Sequence, residues 1–358
     1  MISIDSFSKD WIIKRSEELH YNDKQILEKV IRAFALLEML VEAGAPVIFK
    51  GGSSLLLILK DSLNRLSIDV DVICPPESDI RNYLINLESH GFTDIVPIRT
   101  EHAGKDLPAS HFKSFYEVAF GGTDDADSYI RLDVLYESNP YLHTERLPID
   151  SPFLKQEGQP LLVTVPSKED ILGDKLTAFG PNTLGIPYYK EERDGSYRRC
   201  SLEIIKQLFD ISHLFDVVTN FTDVYETFKR VSALELSYRK MDGQIDKYFE
   251  DVRQSALCLS TRGQLGEGRF DEFRDGILRI KSHVYQHSYY IEQVVIDAAR
   301  TAYLSTCFQN GITDIQKYKK GQDLYALTVF EKMPGVLQRF RKSSPEAFWY
   351  WAKTYELL

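Results

Sequence analysis

The sequence predicts an α+β protein, with a mixed sheet flanked by helices over residues 1–166 and a mostly helical domain over residues 167–358. Three observations predict it. Short apolar runs bounded by Gly and Pro recur between residues 45 and 166, as strands do. From Ser167 onward the apolar residues fall almost wholly at helix spacing. Ahead of the first strand, Ile26, Val30, Ala33, Phe34, Leu37 and Val41 form one apolar stripe, predicting a helix over Ile26–Glu42 that packs on the sheet.

The elements follow in order. Ala45–Phe49 is a short apolar strand after a break at Gly44. Gly51-Gly52 permits unusual dihedrals and close backbone approach. Ser53 or Ser54 then suits the N-cap of a helix through Leu55–Lys60. A second strand carries Ile68, Val70 and Val72 alternating with Asp69 and Asp71, and Pro75-Pro76 ends it. A helix is expected from about Asp79 to His90, with strands at Phe92–Ile98, Phe115–Phe120 and Tyr129–Leu135, and a turn over Gly121–Asp127. Leu161–Val165 is a last short strand ending at Pro166, where the domain boundary is placed.

Chemistry concentrates in the first two strands. Period-two alternation puts Asp69 and Asp71 on one strand face, roughly 6.5–7 Å apart, close enough to share one Mg²⁺ or bridge two. Asp is disfavoured in strands, and a like-charged pair on one face repels, so a cation would relieve both costs. Taken alone the pair is also compatible with a solvated edge strand, and D-x-D does not fix a reaction. The Gly51-Gly52-Ser53-Ser54 turn opens a helix whose first N–H groups suit a triphosphate. Its spacing is neither a Walker A loop nor a dinucleotide-binding fingerprint, and taken alone it reads first as an ordinary strand-to-helix turn capped by serine.

Together these pieces read strand, Gly-Gly-Ser, helix, strand with D-x-D, which resembles the polymerase-beta-like nucleotidyltransferase fold. The stretch K-G-G-S-S-L followed by R-L-S-I-D-V-D, from Lys50 to Asp71 and including Arg65, is similar to the first motif of the AbiEii/AbiGii toxin family, which includes the MenT-type toxins. Ser167–Phe179 resembles that family's D-K-L-x-A helix motif, and Ile205–Leu214 its final motif. The resemblance runs from about residue 30 to 220, with a longer segment than usual at residues 180–200. It implies an NTP held over Gly51, Gly52, Ser53, Ser54 and Arg65, with Mg²⁺ or Mn²⁺ on Asp69 and Asp71. It implies transfer of a nucleoside monophosphate to a tRNA 3′ end with release of pyrophosphate, and a toxin with a cognate antitoxin.

Further site residues follow from fold and family together. In this fold a third acid commonly stands beside the D-x-D. Asp133 is the candidate, as a metal ligand or general base, with an Arg131–Asp133 surface pair as the alternative. Ser167 and Asp170 form an S-x-x-D capping box, so Glu169 and Asp170 are assigned to structure. Lys175 borders an apolar face and could snorkel, but by resemblance it reaches the triphosphate or the developing charge on phosphorus. Lys206 and Asp210 stand in the weaker helix ion-pair orientation, which favours another role for Asp210. By resemblance Asp210 completes the site, positioning the acceptor or orienting Lys175.

Composition fits a soluble enzyme. The chain has 358 residues, 43% hydrophobic and 27% charged, and no apolar run of the ~18 residues a membrane span needs. Met1–Lys14 has no signal-peptide core, and the four scattered cysteines form no C-x-x-C, as expected of reduced thiols in a cytoplasmic protein. The eight histidines show no zinc arrangement. A net charge of −10 argues against broad nucleic-acid binding. Three basic runs are local candidates, although the usual explanation of such runs is a solvated loop: Lys190–Arg199 with Tyr188, Tyr189 and Tyr197; Lys317, Lys319 and Lys320 around Tyr318; and Arg339, Arg341 and Lys342. Two other classes share the core pattern, a small-molecule nucleotidyltransferase of the antibiotic-modifying type and a noncatalytic nucleotide-binding module.

Overall fold

A computed structural model describes residues 1–98, 107–121, 129–192, 194–286, 288–327 and 332–358. Most of the expected Gly121–Asp127 turn lies outside the described residues, as does Arg193 of the Lys190–Arg199 run. The chain forms two units, Met1–Ile171 with Ser282–Ser288, and Leu172–Lys281 with Tyr289–Leu358.

The first unit holds helices α1 (Lys9–Glu18) and α2 (Lys24–Glu42), strand β1 (Ile48–Lys50), helix α3 (Gly51–Ile58), then β2 (Val70–Cys74), β3 (Asp94–Ile98), β4 (Ala109–Phe115), β5 (Tyr129–Tyr136), β6 (Thr144–Pro148) and β7 (Leu162–Pro166). The division between units falls inside α4 (Lys168–Thr177). The strands form one mixed sheet in the order β3-β4-β5-β2-β1-β7-β6. β2 pairs parallel with β5 and antiparallel with β1, and β1 pairs parallel with β7. Alternation decides which face is core: Ile130, Leu132 and Val134 of β5 are at most 1% exposed, while Tyr129, Arg131 and Asp133 are half-buried on the other face.

Helix α2 is buried on more than its apolar stripe, and three of its charged residues stitch loops to it. Glu38 accepts the Ile2 N–H through both oxygens at 2.9 Å. Glu28 accepts from the N–H groups of Ala119 at 2.7 Å and Phe120 at 2.9 Å. Arg32 donates to the carbonyls of Gly91 at 2.8 Å and Glu117 at 3.1 Å, with Phe7 and Tyr116 on its guanidinium. Buried charge persists here because each group has hydrogen-bond partners.

Two expected elements differ. The stretch read as a helix over residues 79–90 forms only 3₁₀ turns at Ile80–Tyr83 and Glu88–His90. Asn86 takes a left-handed φ of 58°, and only Ile80 and His90 are buried in this stretch, too little apolar surface to hold a helix against the protein. The strand expected at residues 115–120 lies earlier, as β4, with Phe112, Ser114 and Tyr116 turned inward. Ser167 caps α4 as expected: its hydroxyl donates to Asp170 Oδ2 at 2.6 Å and accepts the Asp170 N–H at 3.1 Å.

In the second unit the remainder of α4 is followed by a hairpin of β8 (Tyr189–Glu191) and β9 (Tyr197–Arg199). Helices complete it: α5 (Ser201–Val217), α6 (Phe221–Tyr238), α7 (Ile245–Ser260), α8 (Phe270–Arg279), α9 (Ile291–Gln309), α10 (Gly335–Gln338), α11 (Phe340–Ser343) and α12 (Pro345–Leu357). Helix α9 packs on α5, α7 and α12. Aromatics fill the core, with Phe228 against Tyr248, Phe249 and Phe308, and Tyr303 against Trp349 and Tyr350. The four cysteines are buried thiols.

Candidate functional site

In the first unit the glycine turn and the second aspartate meet. Strand β1 ends at Lys50, whose register partner on β2 is Asp71. Gly51 follows with a φ of 77°, a left-handed value that favours glycine. The Asp71 carboxylate rests against its Cα: a Cβ at position 51 would lie 2.1 Å from Asp71 Oδ2. Gly52 is hemmed in likewise, since a Cβ there would lie 2.8 Å from both an Arg65 guanidinium nitrogen and Ser67 Oγ. The turn is glycine because a carboxylate and a guanidinium occupy the space a side chain would need.

The serines are not caps. Helix α3 begins at Gly51, after an extended Lys50, so Ser53 and Ser54 sit inside its first turn and are buried. Ser53 Oγ donates to the Asp69 carbonyl, and Ser54 Oγ to the Gly51 carbonyl at 2.9 Å. Their hydroxyls brace the turn. What the turn offers an anion is the N–H row of Gly51–Ser54, which has no partner within the helix. Arg65, expected at the nucleotide, is 1% exposed, donates to the Leu66 carbonyl at 3.1 Å and backs Gly52. It buttresses the turn from behind.

The acids form a row across two strands. Strand β2 starts at Val70, so Asp69 immediately precedes it; Val70 and Val72 are buried, and Ile68 is only half-buried. Asp71 stands beside Asp133 of β5 in the parallel register. Asp133 Oδ1 lies 2.5 Å from His111 Nδ1 and 2.7 Å from Arg131 Nε. Burial pushes the Asp133 carboxyl up, but the His111 hydrogen bond and the Arg131 charge outweigh it and hold the pKa below the usual carboxylate value. Burial likewise disfavours the Arg131 charge, and Asp133, Asp69 and Asp71 more than compensate.

Among the described residues no three His, Cys, Asp or Glu side chains converge as a metal cage. That does not disqualify the expected ion. Mg²⁺ is commonly held by one or two carboxylates with substrate phosphates and water completing its shell. Asp69 and Asp71 are hard oxygen donors beside a turn of backbone N–H groups, and the donor set fits Mg²⁺ or Mn²⁺.

In the second unit Lys175 of α4 and Asp210 of α5 are paired. Lys175 Nζ lies 3.0 Å from Asp210 Oδ2, with side chains 8% and 0% exposed, and also donates to Gln207 Oε1 at 3.0 Å. Lys175 is therefore not a snorkelling surface lysine. Gln207 went unrecognised in the sequence, although its i,i+3 spacing to Asp210 puts both on one helix face. Along α5 and α9 a buried network continues, in which Ser212 Oγ and Tyr289 Oη donate to Asp297 at 2.7 and 2.6 Å.

The basic run on the β8–β9 hairpin is largely neutralised. Arg198 pairs with Glu192 at 3.0 Å and Glu203 at 2.9 Å, and Arg199 pairs with Glu272 at 2.9 Å. Tyr188 is buried and Tyr189 donates to Glu272, leaving Tyr197 as the exposed aromatic. Lys317 donates to the Asp216 and Val218 carbonyls, and Tyr318 packs on Trp349. No helix of the described residues is long and apolar enough to cross a membrane.

No curated protein matches the chain. JHP933 from Helicobacter pylori is similar over 82% of this chain and 94% of its own, at 16% identity and a TM-score of 0.39. A candidate nucleotidyltransferase from H. pylori is similar over 83% of this chain and 100% of its own, at 15% identity and a TM-score of 0.40. The profile of the family described as nucleotidyl transferase AbiEii toxin, type IV toxin–antitoxin system, matches residues 35–284, a span holding the glycine turn, the aspartate row and the Lys175–Asp210 pair. The chain belongs to the AbiEii toxin family and is a nucleotidyltransferase.

Proposed function

We propose that the protein transfers a nucleoside monophosphate from an NTP to an acceptor hydroxyl at a tRNA 3′ end, as the toxin of a toxin–antitoxin pair. The observation that supports the transfer reading is the seat of Asp71 on the Gly51 turn, which sets a carboxylate suited to a metal ion beside helix N–H groups suited to phosphate. The N–H groups of Gly51–Ser54 bind the phosphates. Asp69 and Asp71 would hold Mg²⁺ or Mn²⁺, which neutralises charge at the phosphorus and lowers the pKa of an attacking hydroxyl. Lys175 is assigned to a phosphate oxygen, where a fixed cation stabilises charge that develops during transfer. Asp210 and Gln207 are its positioning residues. The antitoxin partner is supported by the family, a type IV toxin–antitoxin system, and the tRNA acceptor only by the resemblance of the sequence motifs.

Incubation with α-labelled NTPs, Mg²⁺ and total tRNA tests the reading. Label is expected in the tRNA band, and Asp69→Asn or Asp71→Asn should abolish it. Full transfer by either variant would overturn the metal assignment. The paired arginines of the β8–β9 hairpin favour one alternative, a small hydroxyl compound as acceptor. Label in a small soluble product, with none in tRNA, would establish it.

A further inference from the structure

We propose that Arg131 is a phosphate-binding residue of the nucleotide site, and that Asp133 and His111 act by positioning it. The inference rests on the transfer reading and deepens it.

The register carries the argument. β2 and β5 run parallel with Val70 beside Leu132 and Asp71 beside Asp133; Asp69 and Arg131 each precede the first of these pairs, and the charge of Arg131 interacts with both Asp69 and Asp71. On β4, His111 is the antiparallel partner of Asp133 and Lys113 that of Arg131. Asp69, Asp71, Arg131, Asp133, His111 and Lys113 therefore share the half-buried face of the sheet, opposite Ile130, Leu132 and Val134.

Within that set one oxygen of Asp133 is committed. A carboxylate only accepts, so His111 donates Nδ1–H and Arg131 donates Nε–H to the same Oδ1. That oxygen therefore carries two donors, and any contact of Asp133 with an ion would fall to Oδ2. The same two bonds fix the guanidinium. Its Nε is used, one terminal nitrogen lies 3.4 Å from the imidazole, and the side chain keeps 39% exposure. A planar fork held at one edge and open at the other suits bidentate recognition of phosphate oxygens. Arginine stays charged, so this cation is present whether or not metal is bound. Lys113 extends the row, with its Nζ 4.2 Å from the centroid of Tyr129.

The test uses inorganic tripolyphosphate, Mn²⁺ and the full-length protein. Calorimetry in EDTA should show tripolyphosphate binding that Arg131→Ala weakens by about tenfold or more, the loss of a charge-assisted contact, with Arg131→Lys restoring part of it. Asp133→Asn should weaken tripolyphosphate as well, yet leave Mn²⁺ binding, read by electron paramagnetic resonance, within about twofold of wild type. Asp71→Asn should remove the Mn²⁺ signal. Thermal melts check that each variant is folded, and His111→Asn replaces Asp133→Asn if that variant is not. Equal tripolyphosphate affinity in wild type and Arg131→Ala overturns the inference, as does wild-type binding that needs Mn²⁺ or loss of Mn²⁺ in Asp133→Asn. Failure of the transfer reading looks different, because Asp69→Asn and Asp71→Asn would then still label an acceptor.

Discussion

The carboxylate of Asp71 occupies the space where a side chain at Gly51 would begin, 2.1 Å from an ideal Cβ. Gly51→Ala should therefore act twice. The left-handed φ of 77° costs a non-glycine residue about 1–2 kcal/mol, and the methyl must also displace the carboxylate. A lowered melting temperature with loss of nucleotide transfer is expected. Wild-type transfer by Gly51→Ala would show that Asp71 need not rest on the turn.

The Lys175–Asp210 pair separates stability from chemistry. Asp210→Ala strands a buried ammonium and should cost about 3–5 kcal/mol in chemical denaturation. Lys175→Met strands a fully buried carboxylate and should cost a similar amount. Lys175→Met combined with Asp210→Leu removes both charges, so stability should return close to wild type while transfer stays absent. Transfer by the double variant would reduce the pair to a structural role.

Glu272 predicts an acid limit for the second unit. It accepts from Tyr189, from Arg199 at 2.9 Å and from Ser201 at 2.8 Å. Burial raises its pKa, but these three donors outweigh burial and leave it below the ordinary 4.5. A depressed native pKa means the stabilisation is complete above 4.5 and is lost as pH falls through the native value. Glu272→Gln should flatten stability against pH below 4.5 and change little of its slope near neutrality. An unchanged acid limb in that variant would remove Glu272 from the account.

Metal and nucleotide should stabilise together. An NTP with Mg²⁺ should raise the melting temperature of the wild type, as any ligand specific to the native state does. The rise should shrink strongly in EDTA, and to a similar extent in Asp71→Asn. An identical rise in that variant would place binding elsewhere.

The local parts of the site were legible because their physics is local. Gly-Gly before a helix and aspartates at period two need only neighbouring residues to be understood, and Asp71 does reach Gly51. The cap at Ser53 or Ser54 was misplaced because Gly51 itself opens the helix. His111 was hidden because β4 carries Ser114, fully buried, on its inner face, which broke the apolar alternation and moved the expected strand later. The hairpin arginines read as a solvated loop or a local nucleic-acid surface, because Glu203, Glu272 and Asp275, which pair with them, lie outside their run. Nothing in a short window reveals a partner supplied by another helix.

The Ser282–Ser288 return has a consequence of its own. Leu66 donates to the His283 carbonyl at 2.7 Å, Tyr285 donates its N–H to the Asn64 carbonyl at 2.9 Å, and Arg65 bridges to Val284. The stretch leading into the D-x-D strand is thus tethered by a peptide encoded more than two hundred positions downstream. A chimera joined once near residue 171 would therefore bring a foreign tether to Arg65, and an exchange that keeps the native pairing has to carry both pieces together.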